Sequence, residues 1–178
     1  MLDRTRLACE LALKAGAFLR EAAGRHRSVE FKSAVDLVTE VDRGAQALIV
    51  DAIRKAFPDD PIVAEEDGLG SGRGDSCWVI DPLDGTTNFV HGLPHFSVSI
   101  GYLEGGRASS AAVYDPCRDE LFHAERGLGA FVGTGPSPTS GARRLAVSST
   151  ATLDRSLLVT GFPYDRRDHV DLYLHRIG

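Results

Sequence analysis

The chain has 178 residues, enough for one domain with a sizeable core. Its formal net charge is −5 and no cluster of Lys and Arg offsets that balance, which argues against a nucleic-acid partner. No apolar run follows a basic start and none approaches membrane-spanning length, so a soluble protein away from membranes is expected. Cys9, Cys77 and Cys117 are odd in number and widely spaced, the pattern of reduced thiols in a cytoplasm.

Residues 3–23 predict an amphipathic helix, with Leu7, Leu11, Phe18 and Ala22 on one face and Arg4, Lys14 and Arg20 on the other. Gly24 is its expected stop. Residues 29–38 read as extended and loop-like and carry Lys32. A second helix is predicted from Thr39, which caps it with Asp42 three residues on, and Ala45, Leu48, Ile49, Ala52, Ile53 and Ala56 keep helical spacing. Phe57-Pro58-Asp59-Asp60-Pro61 ends it, because proline cannot continue a helix and disfavours one before it. Residues 62–64 form a short strand that delivers Glu65 and Glu66, followed by a Gly-rich polar loop over 68–75.

Trp78-Val79-Ile80 reads as a buried strand, with Trp78 in the core. Residues 96–103 alternate, Gly105-Gly106 turns the chain, and strands over 108–114, 120–125 and 130–132 complete an antiparallel meander. Further strands are expected at 145–147 and 157–160, then a helix from 168 to 177. Helices come first and strands after, so the expected class is α+β: an N-terminal helix pair packed on a largely antiparallel sheet, in a single domain over residues 1–178.

The chemistry concentrates where the apolar run Trp78-Val79-Ile80 ends in Asp81-Pro82-Leu83-Asp84-Gly85-Thr86. Pro82 fixes its own φ and biases Asp81 toward an extended conformation, so the two aspartates are held three apart on a stiff turn. Taken alone, Glu65-Glu66 reads as a solvated loop and Asp84-Gly85 as a hairpin turn. If their strands are neighbours, however, four carboxylates meet at one edge and repel unless a cation lies between them. Hard Mg²⁺ takes such oxygen ligands and shares its shell with water and phosphate. A short helix beginning after Asp84 would also aim the N–H groups of Gly85 and Thr86 at an anion. That is the equipment for attack on a phosphate monoester by metal-activated water. His91 and His95 offer nitrogen and are read as a polar helix end and the entry to the next strand, while His169 and His175 are read as a solvated helix face.

Residues 78–89 closely resemble the first signature of the inositol monophosphatase family. Ala64-Glu65-Glu66 resembles the acidic pair that precedes it there, and Asp36-Leu37-Val38-Thr39-Glu40-Val41-Asp42 resembles the family's N-terminal motif. The likeness runs from about Leu7 to about Pro163. It implies the family's layered α/β sandwich and Mg²⁺-dependent, lithium-sensitive hydrolysis of a small phosphorylated metabolite. Carried over by position, Glu65, Asp81 and the main-chain carbonyl of Leu83 would hold the first metal, and Asp81 and Asp84 would contribute to the second. Glu65 and Thr86 would orient the attacking water, with Asp42 supporting Thr86 and Glu66 standing behind the ligands. The resemblance and the residues together place phosphate at Gly85 and Thr86, with Lys32 near the phosphate or a metal-bound water, or else a solvated surface lysine.

The family's second signature, a Trp-Asp pair whose aspartate completes the second metal site, has no counterpart: the single tryptophan, Trp78, is followed by Val79. The chain therefore resembles the first half to two-thirds of a member, with the C-terminal part missing. Weak Mg²⁺ binding and low or no activity are expected of it, since electrostatic stabilisation weakens in a wet site. An uncovered sheet face leads to the expectation of self-association, as a dimer. Histidinol phosphate, fructose 1,6-bisphosphate and a phosphorylated nucleotide are alternative substrates within the superfamily. The reading from another class is a non-catalytic fragment that keeps the fold and pairs with a partner.

Overall fold

The computed structural model describes residues 3–26, 34–64, 74–134, 141–159 and 170–177. Two compact units divide the chain, Met1–Ala146 and Val147–Gly178. In the first, α1 (Asp3–His26) and α2 (Ala34–Ala56) precede β1 (Ile62–Ala64), β2 (Cys77–Asp84) and the single-turn helix α3 (Thr86–Val90). Strands β3 (Ser97–Glu104), β4 (Arg107–Asp115), β5 (Glu120–Glu125), β6 (Gly129–Gly133) and β7 (Arg143–Arg144) follow. All seven strands form one sheet in sequence order. β1 pairs parallel with β2, and every later pairing is antiparallel. The helix pair on a largely antiparallel sheet is thus as the sequence predicts.

One face of the sheet takes both helices: α1 lies over β3, β4 and β5, and α2 over β2. Ala8, Leu11, Ala12, Ala15 and Leu19 of α1, with Ala45, Ile49 and Ile53 of α2, enter a single core with Trp78, Ile80, Val98, Ile100, Ala112, Tyr114 and Leu121. The small residues on α1 let its backbone approach the sheet closely. At Gly16 an added Cβ would meet Tyr114 Cδ1 at 2.2 Å, closer than any real contact. Thr5, fully buried, hydrogen-bonds the Ser110 hydroxyl at 2.8 Å and donates to Glu125 Oε2 at 3.0 Å, so this end of α1 is tied to β4 and β5 by polar contacts. On the opposite face the pleat presents residues such as Val79, 41% exposed.

A clasp joins the start of α1 to the loop after α2. The Arg4 guanidinium gives Asp60 two hydrogen bonds, Nε to Oδ2 at 2.9 Å and Nη2 to Oδ1 at 3.0 Å. Its carbon stands 4.6 Å from the Phe57 ring centre and 4.4 Å from that of Tyr102. Trp78 Nε1 donates to Asp60 Oδ2 at 3.0 Å, so the indole of a fully buried residue keeps a partner. The Arg4 hydrogen bonds hold the Asp60 carboxyl below its ordinary value of 3.8, against the opposing effect of burial.

The structure corrects several boundaries. α1 runs past Gly24 to His26, since a glycine with open space around it need not stop a helix. α2 starts at Ala34 rather than Thr39, so residues 34–38 are helical, not extended, and Thr39 lies within the helix. Leu37, Val41, Ala45 and Leu48 continue the 3–4 spacing backward through the motif. β2 does not stop at Ile80 but continues to Asp84. The strand expected at 145–147 is displaced to Arg143–Arg144, with one further bond from Leu145 N to Ala130 O at 2.8 Å. In the second unit, a 3-10 turn (Leu153–Arg155) and α4 (Val170–Ile177) are described. Residues 157–159, expected as a strand, join no ladder among the described residues, and Leu157 is 94% exposed. Apolar character favours a strand only where a neighbour supplies hydrogen bonds. The three cysteines are free, and burial pushes the Cys9 thiol up to about 12, which leaves it inert.

Two outcomes follow from this packing. Asp60→Asn should cost about 1–2 kcal/mol at pH 7, the worth of hydrogen bonds to a charged partner. Because the folded carboxyl titrates below 3.8, that stability is present above this value and lost as pH falls through the folded pKa. Urea midpoints of wild type and variant should therefore differ at pH 7, and the gap should shrink as the pH is lowered below 3.8 toward the folded pKa; a gap that does not change with pH would contradict the role given to the charge. Gly16→Ala should cost about 2 kcal/mol through overpacking against Tyr114, read by the same denaturation.

Candidate metal and phosphate site

The site grows from an irregularity in β2. Asp81 pairs with Ser99 and Asp84 with Ser97, so three steps on β2 match two on β3 and the register shifts between them. Pro82 lacks an N–H and cannot serve a ladder on that side, which suits it to a bulge. Pro82 and Leu83 are both buried, Asp81 is half-buried and Asp84 is exposed. In a regular strand, residues three apart point to opposite faces. Here the extra residue returns Asp84 to the face that carries Asp81, together with Ser97 and Ser99, while Leu83 enters the core at 1% exposure.

Hydrogen bonds fix the turn internally. The Leu83 N–H donates to Asp81 Oδ1 at 3.1 Å, and the Thr86 hydroxyl donates to the Leu83 carbonyl at 3.0 Å. Ser97 Oγ donates to Asp84 Oδ2 at 3.3 Å. Gly85, at φ 93° and ψ 35°, makes the left-handed step into α3, and Phe89 N closes back on its carbonyl at 3.0 Å. A Cβ on Gly85 would also lie 3.0 Å from the His95 carbonyl, so both conformation and space require glycine. α2 packs on β2 and α3, and Asp42 is buried on α2. One turn further on, the buried Oε1 of Gln46 accepts no hydrogen bond among the described residues.

Beside the turn is a cavity of about 360 Å³ whose lining includes Asp84, Gly85, Ser97, His95, Asp115 and Phe122. Asn88 Nδ2 donates to the His95 carbonyl at 2.7 Å, which holds the loop that closes one side. Burial raises the Asp115 carboxyl, but the Arg118 guanidinium and the N–H groups of Arg118 and Cys117 outweigh it and hold the group below the usual carboxylate range. Arg118 Nη1 also lies 3.4 Å from His95 Nδ1. His91 ends α3 and is exposed, and His175 is exposed on α4, as read from the sequence; His169 lies outside the described residues.

Of the residues singled out in the sequence, the structure gathers Asp81, Leu83, Asp84, Gly85 and Thr86 on one turn, with Asp42 on the helix packed against it. Lys32, Glu65 and Glu66 lie outside the described residues. The condition set on the two acidic pairs is met in part: β1 is the parallel neighbour of β2, with Ala64 opposite Ile80. Two carboxylates and a carbonyl form an all-oxygen donor set suited to a hard cation such as Mg²⁺. Among the described residues no three His, Cys, Asp or Glu side chains gather around one point. Ser97 and its bond to Asp84 were not read from the sequence; the signal was there in the alternation of residues 96–103, which puts Ser97 and Ser99 on one face.

The profile of the inositol monophosphatase family matches residues 2–174. A Pseudomonas aeruginosa protein named Nus factor SuhB is 51% identical over 153 residues, 83% of this chain and 54% of that one. The inositol-1-monophosphatase of Synechocystis is 47% identical over 167 residues, 93% of this chain and 55% of its own length. The solved inositol monophosphatase of Anabaena superimposes with a TM-score of 0.76 at 42% identity, over 92% of this chain and 57% of that one. The chain spans little more than half the length of each of these. With the profile matched almost end to end and the fold shared, the chain belongs to the inositol monophosphatase family.

Proposed function

We propose that this chain carries the metal- and phosphate-binding part of a Mg²⁺-dependent phosphomonoesterase acting on a small phosphorylated metabolite of the inositol monophosphate kind. The observation that carries the reading is the bulge that puts Asp81 and Asp84 on one face beside the Leu83 carbonyl. In this reading Glu65, Asp81 and the Leu83 carbonyl hold one cation, and Asp81 and Asp84 contribute to a second. Divalent cations held there would supply a water of lowered pKa and positive charge against the phosphoryl oxygens. Thr86 orients the attacking water together with Glu65. Its hydroxyl lies within reach of the Leu83 carbonyl, and its oxygen can accept from that water. Asp42, on the adjoining helix, supports Thr86, and the backbone of Gly85 and Thr86, with Lys32, receives the phosphate. Three free thiols suit a cytoplasmic setting, and the apolar side chains on the sheet's second face suit a dimer.

Titration of the chain with Mg²⁺ should show weak binding that Asp84→Asn abolishes. Phosphate release should be slow, should require Mg²⁺ and should be lost with EDTA. It is measured on inositol 1-phosphate, histidinol phosphate, fructose 1,6-bisphosphate and a nucleoside monophosphate. No Asp84-dependent cation binding, together with no release from any ester, would sink the proposal; fast turnover would overturn the expected weakness. Gly85→Ala should cost about 1–3 kcal/mol in thermal or urea unfolding, through a strained backbone at positive φ. It should also lower cation affinity by re-aiming Asp84.

A further inference from the structure

The carboxylate of Asp84 extends from an exposed strand end, where packing leaves a side chain most of its rotational freedom. A ligand that must be ordered on binding loses conformational entropy, and one already held loses less. Ser97 is placed to do the holding. It is the first residue of β3, stands directly opposite Asp84 across the bulge, and donates its hydroxyl to Asp84 Oδ2 at 3.3 Å. Both side chains line the same cavity of about 360 Å³. Among the described residues no other donor reaches this carboxylate, and Oδ1 is left for a cation. Ser99 stands opposite Asp81 on the same face, and that acid accepts the Leu83 N–H of its own turn.

We propose that Ser97 is a positioning residue for the cation site: its hydroxyl fixes the rotamer of Asp84 so that Oδ1 faces the cation. The inference rests on the reading of Asp84 as a cation ligand. Outer partners of metal ligands act in this way, through orientation and not through the metal itself.

The test is calorimetric titration of the full chain with Mg²⁺ or Mn²⁺, paired with thermal melts. Ser97→Ala should weaken the affinity about tenfold, the low end for such partners. Its melting temperature should stay within about 2 °C of wild type, because only one half-exposed hydroxyl is lost. Ser97→Thr keeps the hydroxyl and suits a strand, so it should restore the affinity. If Asp84→Asn removes binding while Ser97→Ala leaves it unchanged, the role of Ser97 is overturned and the ligand role of Asp84 stands. If Asp84→Asn changes nothing, or the wild-type chain binds no cation, the underlying reading falls and the inference with it. A fall in melting temperature that accompanies the affinity loss, or a failure of Ser97→Thr to rescue, would assign Ser97 a structural role and overturn the proposal.

Discussion

The site depends on one extra residue in one strand. Asp81 and Asp84 are three apart, and strand geometry sends residues three apart to opposite faces. Without the bulge, Asp84 would enter the core while Leu83 faced out on the side of Asp81. With it, the carboxylates share a face and the leucine between them is buried. Burial of Leu83 and the exposure of a charged Asp84 are therefore two consequences of the same register. Each disfavours a slip: a carboxylate buried without a partner costs several kcal/mol, and an exposed leucine forfeits about 2 kcal/mol. Pro82 favours the bulge because it has no proton to give a regular ladder. Leu83 then serves three ways, through its side chain in the core, its N–H on Asp81 and its carbonyl under Thr86.

A strand can hold such a register only if the rest of it is anchored, and Trp78 provides the anchor. It is fully buried between Phe57 and Tyr102, with ring centres at 5.9 Å and 5.3 Å. Its indole N–H is satisfied by Asp60, whose charge is in turn matched by Arg4. Desolvating an ion pair commonly offsets its attraction. Here the two flanking rings, the two-point geometry and the bond from Trp78 add favourable terms, and the pair keeps contact with water at 33% and 15% side-chain exposure. The first turn of α1 thereby fixes the beginning of the strand whose end carries the site.

Most of the sheet was legible in the sequence because its signals are local. Alternation in residues 96–103 and the Gly105-Gly106 turn specify a hairpin without reference to anything distant. The motif at 81–86 was legible for the same reason: an apolar run that ends in acids, proline and glycine has few other uses. The misses lie where distant partners decide. Arg4 and Asp60 are 56 positions apart, and nothing in the spacing of either announces the other. Residues 34–38 carry β-branched valines that suggest extension, yet their backbone is the first part of α2. Residues 157–159 are as apolar as any strand here and form none, because a ladder needs a neighbour.

The contrast between Ser99 and Ser97 shows how local pairing becomes chemistry. Both serines face the same side and stand opposite an aspartate, but the aspartates have different backbones behind them. Asp81 precedes the bulge, and its carboxylate folds back to accept the Leu83 N–H two residues on. Asp84 follows the bulge, where the next residue turns left-handed at Gly85 and the chain departs into α3. No N–H two residues ahead serves Asp84 as Leu83 serves Asp81. Its order is supplied instead across the strands, by a side chain. An N–H from the same turn braces one acid whatever residue faces it, whereas an acid held by a hydroxyl depends on which residue occupies that one position. The first arrangement belongs to the motif itself, and the second depends on the identity of the facing residue.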